Sequence, residues 1–188
     1  MIPAPFAYQR AGSADEALSL AAEAGEDAKF LAGGHSLLPL MKLRFAVPEV
    51  LIDIGRIRDL SYIRDEGDTI AVGALTRHHD LEHSGLLAAE LPLLAHAASR
   101  VGDPQIRHRG TIGGSLVHAD PAADLPAVVL ALDGHADDGP VEGALGERLE
   151  RPARGGGGLG HPDLGEQFSR LEHGLEQPLE ELPDGDLP

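Results

Sequence analysis

The chain contains no cysteine, so its own side chains can build no disulfide framework, no thiolate metal site and no iron–sulfur cluster. Any redox chemistry has to come from a borrowed cofactor. Basic residues are scarce: 15 lysines and arginines stand against 31 aspartates and glutamates, a formal net charge of −16 at pH 7. Phosphate backbones and anionic membranes are bound through basic stripes, and none is present, so no nucleic-acid partner is expected. No segment approaches ~20 continuous apolar residues, which excludes membrane insertion by a helix. The start, Met1-Ile2-Pro3-Ala4-Pro5-Phe6, has neither a basic leader nor an apolar core of signal length, and the expected address is the cytoplasm. A Gly-Lys-Ser/Thr phosphate loop and a Ser/His/Asp nucleophile pattern are both missing, which speaks against a P-loop kinase and a hydrolase.

What remains is a globular body with an unlike tail. The 188 residues are 42% hydrophobic, enough for a real core in one or two small domains. The composition breaks near Gly134. After it Val141 is the single β-branched residue, the run Gly155-Gly156-Gly157-Gly158 reads as a flexible linker, and acidic residues such as Asp137, Asp138, Glu142 and Glu147 far outnumber Arg148, Arg151, Arg154 and Arg170. That composition predicts disorder over 135–188, close to excluding a strand there, with a marginal helix around Leu164 to Leu182.

Within the body, Ser13 followed by Glu16 is a capping-box spacing that opens a helix ending at Gly25. Lys29 to Ala32 and Val50 to Ile54 read as strands, and Tyr62-Ile63 with residues 69–72 flank a hairpin turn at Asp65-Glu66-Gly67-Asp68. From about Arg77 to Val101 the pattern is helical with a break before Pro92, and Ala122 to Leu132 reads as a last helix.

Two glycine loops stand out: Ala32-Gly33-Gly34-His35-Ser36 and Thr111-Ile112-Gly113-Gly114-Ser115, each read as following a strand. A Gly-Gly step lets the backbone turn sharply and lets bare N–H groups approach a ligand, and the serine adds a hydroxyl donor. Phosphate oxygens are natural acceptors for that arrangement, so the pair suggests one diphosphate held between two loops.

These loops occur in order with Leu37-Leu38-Pro39, Val72-Gly73-Ala74-Leu75-Thr76, Gln105-Ile106-Arg107 and Ala119-Asp120-Pro121-Ala122-Ala123-Asp124. Over roughly residues 1–134 the chain resembles the FAD-binding medium subunit of molybdenum hydroxylases, the carbon monoxide dehydrogenase and xanthine dehydrogenase family. The resemblance implies an α+β fold, a two-lobed FAD-binding domain of the vanillyl-alcohol-oxidase-like (PCMH) type. Its first lobe would be 1–55 and its second, incomplete, 56–134, with 135–188 a disordered acidic tail. It further implies that Ala32, Gly33, Gly34, His35, Ser36 and Leu37 hold the FAD diphosphate from one side and Thr111, Gly113, Gly114 and Ser115 from the other. Gly73, Ala74 and Thr76 would line the groove, and Asp124 would accept from a sugar or ribityl hydroxyl. The implied work is electron relay through FAD to an acceptor, beside a molybdenum-cofactor large subunit and a [2Fe-2S] small subunit.

Two departures are visible. His108 stands where relatives commonly carry asparagine. The family pattern also stops where the composition breaks, and the text from His135 onward has the bias of a GC-rich gene read in the wrong frame, so a truncated or frameshifted product is expected. Two other functions stay open on the sequence: a non-catalytic remnant that keeps the fold, and a binding module for another nucleotide diphosphate. His79 and His83 could share a helix face and bind zinc, but with no third ligand evident in the sequence a solvated face is the expectation, and no metal site is assigned. Asp120 is read as a cap for the following helix.

Overall fold

The computed structural model describes residues 2–137 and 146–150. Ser13 opens the first helix as its spacing predicts. Its hydroxyl accepts from the Glu16 N–H at 3.1 Å, the Glu16 carboxylate accepts from the Gly12 N–H at 2.6 Å, and the helix Ala14–Ala24 (α1) ends on Gly25 at φ 69°. Around it lie the strands Ala7–Arg10 (β1), Ala28–Leu31 (β2) and Val50–Asp53 (β3), and the helix Leu37–Leu43 (α2). β3 is the apolar strand, with Leu51 and Ile52 buried, and it takes the centre of a parallel sheet in the order β1-β3-β2. Arg10 and Leu31 both register with Asp53, so all three strands end at one rim. The space outside the carboxyl ends of parallel strands is where such sheets receive ligands. Ala17 of α1 closes over this sheet in a core with Ile52, Ile57, Leu60 and Leu75.

The second sheet is antiparallel, in the order β4-β5-β7-β6: Ile63–Asp65 (β4), Thr69–Gly73 (β5), His135–Asp137 (β6) and Gly146–Glu150 (β7). β4 and β5 are the predicted hairpin, with Ile63 opposite Val72. The near-exclusion of strands after Gly134 is corrected by the other two. β7 pairs with β5 from Thr69↔Glu150 to Gly73↔Gly146, and its Leu149 is fully buried beside Ile70 and Val72. An apolar residue facing a ready β5 edge outweighs the weak strand propensity of its charged neighbours. The residues 138–145 and 151–188, with the expected four-glycine linker, the helix around Leu164 to Leu182 and the disorder of the tail, lie outside the described residues.

Six helices follow β5 among the described residues, the second glycine loop running into the fifth of them: His78–Glu82 (α3), Gly85–Glu90 (α4), Pro92–Arg100 (α5), Pro104–Arg107 (α6), Ile112–His118 (α7) and Asp124–Ala131 (α8). The predicted break before Pro92 is present, and another falls at Ser84, whose hydroxyl accepts from the Leu87 N–H at 3.2 Å and so starts α4 afresh. Leu81, Leu87, Leu94 and Leu125 bring α3, α4, α5 and α8 into one core with Ile70, Val72 and Ile112. Both sheets belong to one unit, Met1–Arg154.

Candidate functional site

The first glycine loop leaves β2 at the common rim of the parallel sheet. Gly34 turns the chain with φ 78°, and Leu38 N–H returns to the Gly34 carbonyl at 3.1 Å to begin α2. Among the described residues, none of the backbone N–H groups of residues 33–37 donates to a protein acceptor. A run of unsatisfied donors at the end of a strand is what an anion requires.

The second loop is built differently. No described strand precedes it; α6 does, and only a single bridge, Arg77 to Thr111, is strand-like. Two bonds frame that bridge, His78 N–H to Gly110 O and Ile112 N–H to Thr76 O, both 3.1 Å. Thr111 caps α7 by accepting from the Gly114 N–H at 3.2 Å, Gly113 N–H donates to Ala74 O at 3.0 Å, and Ser115 N–H donates to Thr111 O. The Gly113 and Gly114 amides are therefore spent within the protein. This loop offers a ligand the Ser115 hydroxyl, half-buried.

The glycines bring the two loops together. A β-carbon on Gly33 would stand 2.3 Å from the Arg109 carbonyl oxygen and 2.9 Å from the Gly110 α-carbon, and one on Gly113 would stand 2.6 Å from the Ala74 β-carbon. Arg77 ties the junction: one end of its guanidinium donates to Arg109 O and the other to Gly55 O at 3.4 Å. Gly55 N–H in turn donates to the Asp53 carboxylate at 2.8 Å, which also accepts from the Tyr8 hydroxyl. The rim of the first sheet and the approach to the second loop are thus one hydrogen-bonded assembly, against which the first glycine loop packs at Gly33.

Its electrostatics suit an anion although the chain is acidic. Burial, then Arg109, lowers the Arg77 guanidinium from its ordinary value, against opposing pulls from Asp80 and Asp53. Burial, then Arg77 and His35, holds the His78 imidazole down to about 4. The guanidinium groups of Arg77 and Arg109 meet here, and a pair of fixed cations favours a diphosphate. Beside them a cleft of about 450 Å³ is lined by residues 55–58, Ser61, Leu75 and Arg77, three arginines among them.

Of the residues singled out in sequence, residues 32–37 share the free loop, and 73–76 lie directly against 111–113. Thr76 is buried and its hydroxyl is bonded within the protein, donating to Tyr62 O at 2.9 Å and accepting from Tyr62 N–H at 3.1 Å. Gly73 lies where a β-carbon would meet Leu60 O at 2.4 Å. Asp124 is exposed at the start of α8 and makes no hydrogen bond to either loop among the described residues. Asp120 does not cap α8, whose N-cap is Ala123; its carboxylate accepts from Ala122 N–H at 2.9 Å in a turn of its own. Sequence reasoning missed Arg77 and Arg109. Their only signal was adjacency to the motifs, since a contact between residues 77, 109 and 55 has no periodicity.

Residues 4–136 match the family model for the FAD binding domain in molybdopterin dehydrogenase. The chain is 54% identical over 135 residues to the carbon monoxide dehydrogenase medium chain of Hydrogenophaga pseudoflava, covering 72% of this chain and 47% of that one. It is 50% identical over 143 residues to the 6-hydroxypseudooxynicotine dehydrogenase complex subunit alpha of Paenarthrobacter nicotinovorans, covering 76% and 48%. A solved carbon monoxide dehydrogenase from Hydrogenophaga pseudoflava, lacking the Mo-pyranopterin moiety of its cofactor, superposes with a TM-score of 0.77 at 45% identity, over 82% of this chain and 62% of that one. The chain spans about half the length of the curated relatives it matches.

Proposed function

Since the chain belongs to the family of FAD-binding domains of molybdopterin dehydrogenases, with the PCMH-type α+β fold and FAD as its cofactor, we propose that it works as the FAD-binding part of a molybdenum hydroxylase medium subunit. In this reading it relays electrons from iron–sulfur clusters to an acceptor, in the cytoplasm, beside a molybdenum-cofactor large subunit and a [2Fe-2S] small subunit. FAD supplies the chemistry that side chains lack here, a two-electron store that can be filled and emptied one electron at a time.

The observation that carries the proposal is the row of free N–H groups over residues 33–37, set near the guanidinium groups of Arg77 and Arg109. The residues present fit a diphosphate. The amides and the Ser36 hydroxyl would bind its oxygens, the Ser115 hydroxyl would donate from the opposing loop, and Arg77 ties Arg109, beside that loop, to Gly55 at the sheet rim. Gly73, Ala74 and Thr76 shape the groove by holding the second loop, and Asp124 accepts from a sugar or ribityl hydroxyl. The division into lobes at 1–55 and 56–134 is part of the same reading, the diphosphate lying where they meet.

Flavin content of the purified full chain tests this, by visible absorption and by titration of added FAD with fluorescence quenching as the readout. Stoichiometric binding, outcompeting ADP-ribose compounds, is the expected result. A folded chain that takes up no FAD would overturn the proposal, and equal affinity for ADP-ribose would make the site one for nucleotide diphosphates in general.

A further inference from the structure

The fold supplies what the sequence left missing around His79 and His83. His79 on α3 and His83 at its C-cap stand one turn apart with ring centroids separated by 4.2 Å, and Glu82 joins them so that one ligand atom from each of the three lies within 4.8 Å of the other two. We propose that His79, Glu82 and His83 form a binding site for a divalent transition-metal ion of the zinc or nickel type, apart from the FAD site.

The donor set is the first argument. Two imidazoles and a carboxylate are borderline ligands that suit Zn²⁺, Ni²⁺ or Cu²⁺, whereas Mg²⁺ and Ca²⁺ prefer oxygen alone. Orientation is the second. His83 Nδ1 lies 2.9 Å from His79 O; a carbonyl can only accept, so Nδ1 carries the proton and Nε2 keeps its lone pair for a metal. Such a carbonyl is the partner that fixes metal-ligating histidines. Glu82 is held as well: Arg107 Nε donates to its Oε2 at 2.8 Å, while the same guanidinium donates to Val101 O at 3.2 Å. The same Oε2 lies 3.8 Å from His83 Nδ1, so the carboxylate already faces the second imidazole. His79 is clamped from the end of α6 as well, its ring stacked at 4.0 Å on His108, whose Nδ1 donates to Pro104 O at 2.6 Å.

Three protein ligands leave a position for water, the arrangement of an open site. Its consequence reaches the second glycine loop, because His78, next to His79, donates its N–H to Gly110 O. An ion gripping α3 would stiffen that junction.

The test is calorimetric titration of ZnCl₂ into the full chain stripped with EDTA and dialysed, followed by the ¹H–¹⁵N spectrum of its imidazoles. One equivalent of Zn²⁺ is expected, shifting the His79 and His83 ring resonances. Glu82→Gln, which keeps a hydrogen-bond acceptor for Arg107, should weaken binding about tenfold or more. The double variant His79→Ala/His83→Ala should abolish it, and His96→Ala should leave it unchanged. Absence of a stoichiometric step in the wild type, or resonance shifts confined to other histidines, would overturn the proposal; so would a double variant that binds as well as the wild type. The ring resonances are read on the unaltered chain, so the outcome does not depend on the variants folding.

Discussion

Gly33 and Arg109, far apart in the sequence, meet so closely that the Arg109 carbonyl oxygen stands 2.3 Å from where a Gly33 β-carbon would be. The first glycine of the first loop is therefore required by the second loop. Its absent side chain is the space in which the two halves of the site touch.

Gly33→Ala should force the loops apart. An overpacked contact against backbone costs about 1–3 kcal/mol, and the displaced amides should lose FAD as well. Urea unfolding and FAD titration on the same preparation measure both effects; wild-type affinity in the variant would show that the contact does not set the site.

Arg77→Lys keeps the charge and loses the fork. A lysine cannot hold Arg109 O and Gly55 O together, so one charge-assisted hydrogen bond is forfeited, about 1.5–3 kcal/mol where it is shielded and less at this partly exposed end. Weaker FAD binding by about tenfold is expected by fluorescence titration, with a smaller fall in unfolding midpoint.

His78 gives stability a pH dependence in metal-free protein. Its folded pKa, about 4, lies below the ordinary 6.5 because of burial, Arg77 and His35, and its Nδ1 is buried without a partner. The neutral ring is the form the fold accepts. Its contribution is thus complete above pH 6.5 and is lost as pH falls from 6.5 toward 4. Urea unfolding at several pH values in EDTA should show this slope, and His78→Phe should flatten it; an unchanged slope would assign the dependence elsewhere.

Leu149→Ala should cost about 2–5 kcal/mol by emptying a fully buried position, since Leu149 packs in the core with Ile70 and Val72. Urea unfolding that moves by less than ~0.5 kcal/mol, the range of surface substitutions, would mean that β7 adds nothing to the sheet.

Much of this was legible in the sequence because it is local. The Ser13 cap, the 63–73 hairpin and the glycine loops each announce themselves within a few residues, and the ordered motifs pointed to FAD. What was not legible is long-range. β1 is exposed along its whole length and becomes a strand only by pairing with β3. β7 is charged at most positions and is placed by Leu149. The second loop reads like the first, yet its Gly113 and Gly114 amides are spent on Ala74 and Thr111, which only the return of residues 74–78 against 110–113 reveals. His79, Glu82 and His83 follow a helical spacing, but the grip of Arg107 and His108 comes from another helix.

The order β1-β3-β2 also governs how the molecule comes into being. The strand made last of the three occupies the middle, so β1 and β2 leave the ribosome with nothing to pair with until Val50 to Asp53 have been synthesised. The antiparallel sheet repeats the delay, since β5 is flanked on one side by β7, made after α3 to α8. Each half closes on its latest strand, and closure across such distances is slow because the entropy of a long loop is lost before any contact rewards it. During translation the nascent chain consequently carries open strand edges for most of its synthesis, the interval in which a chaperone matters most to it.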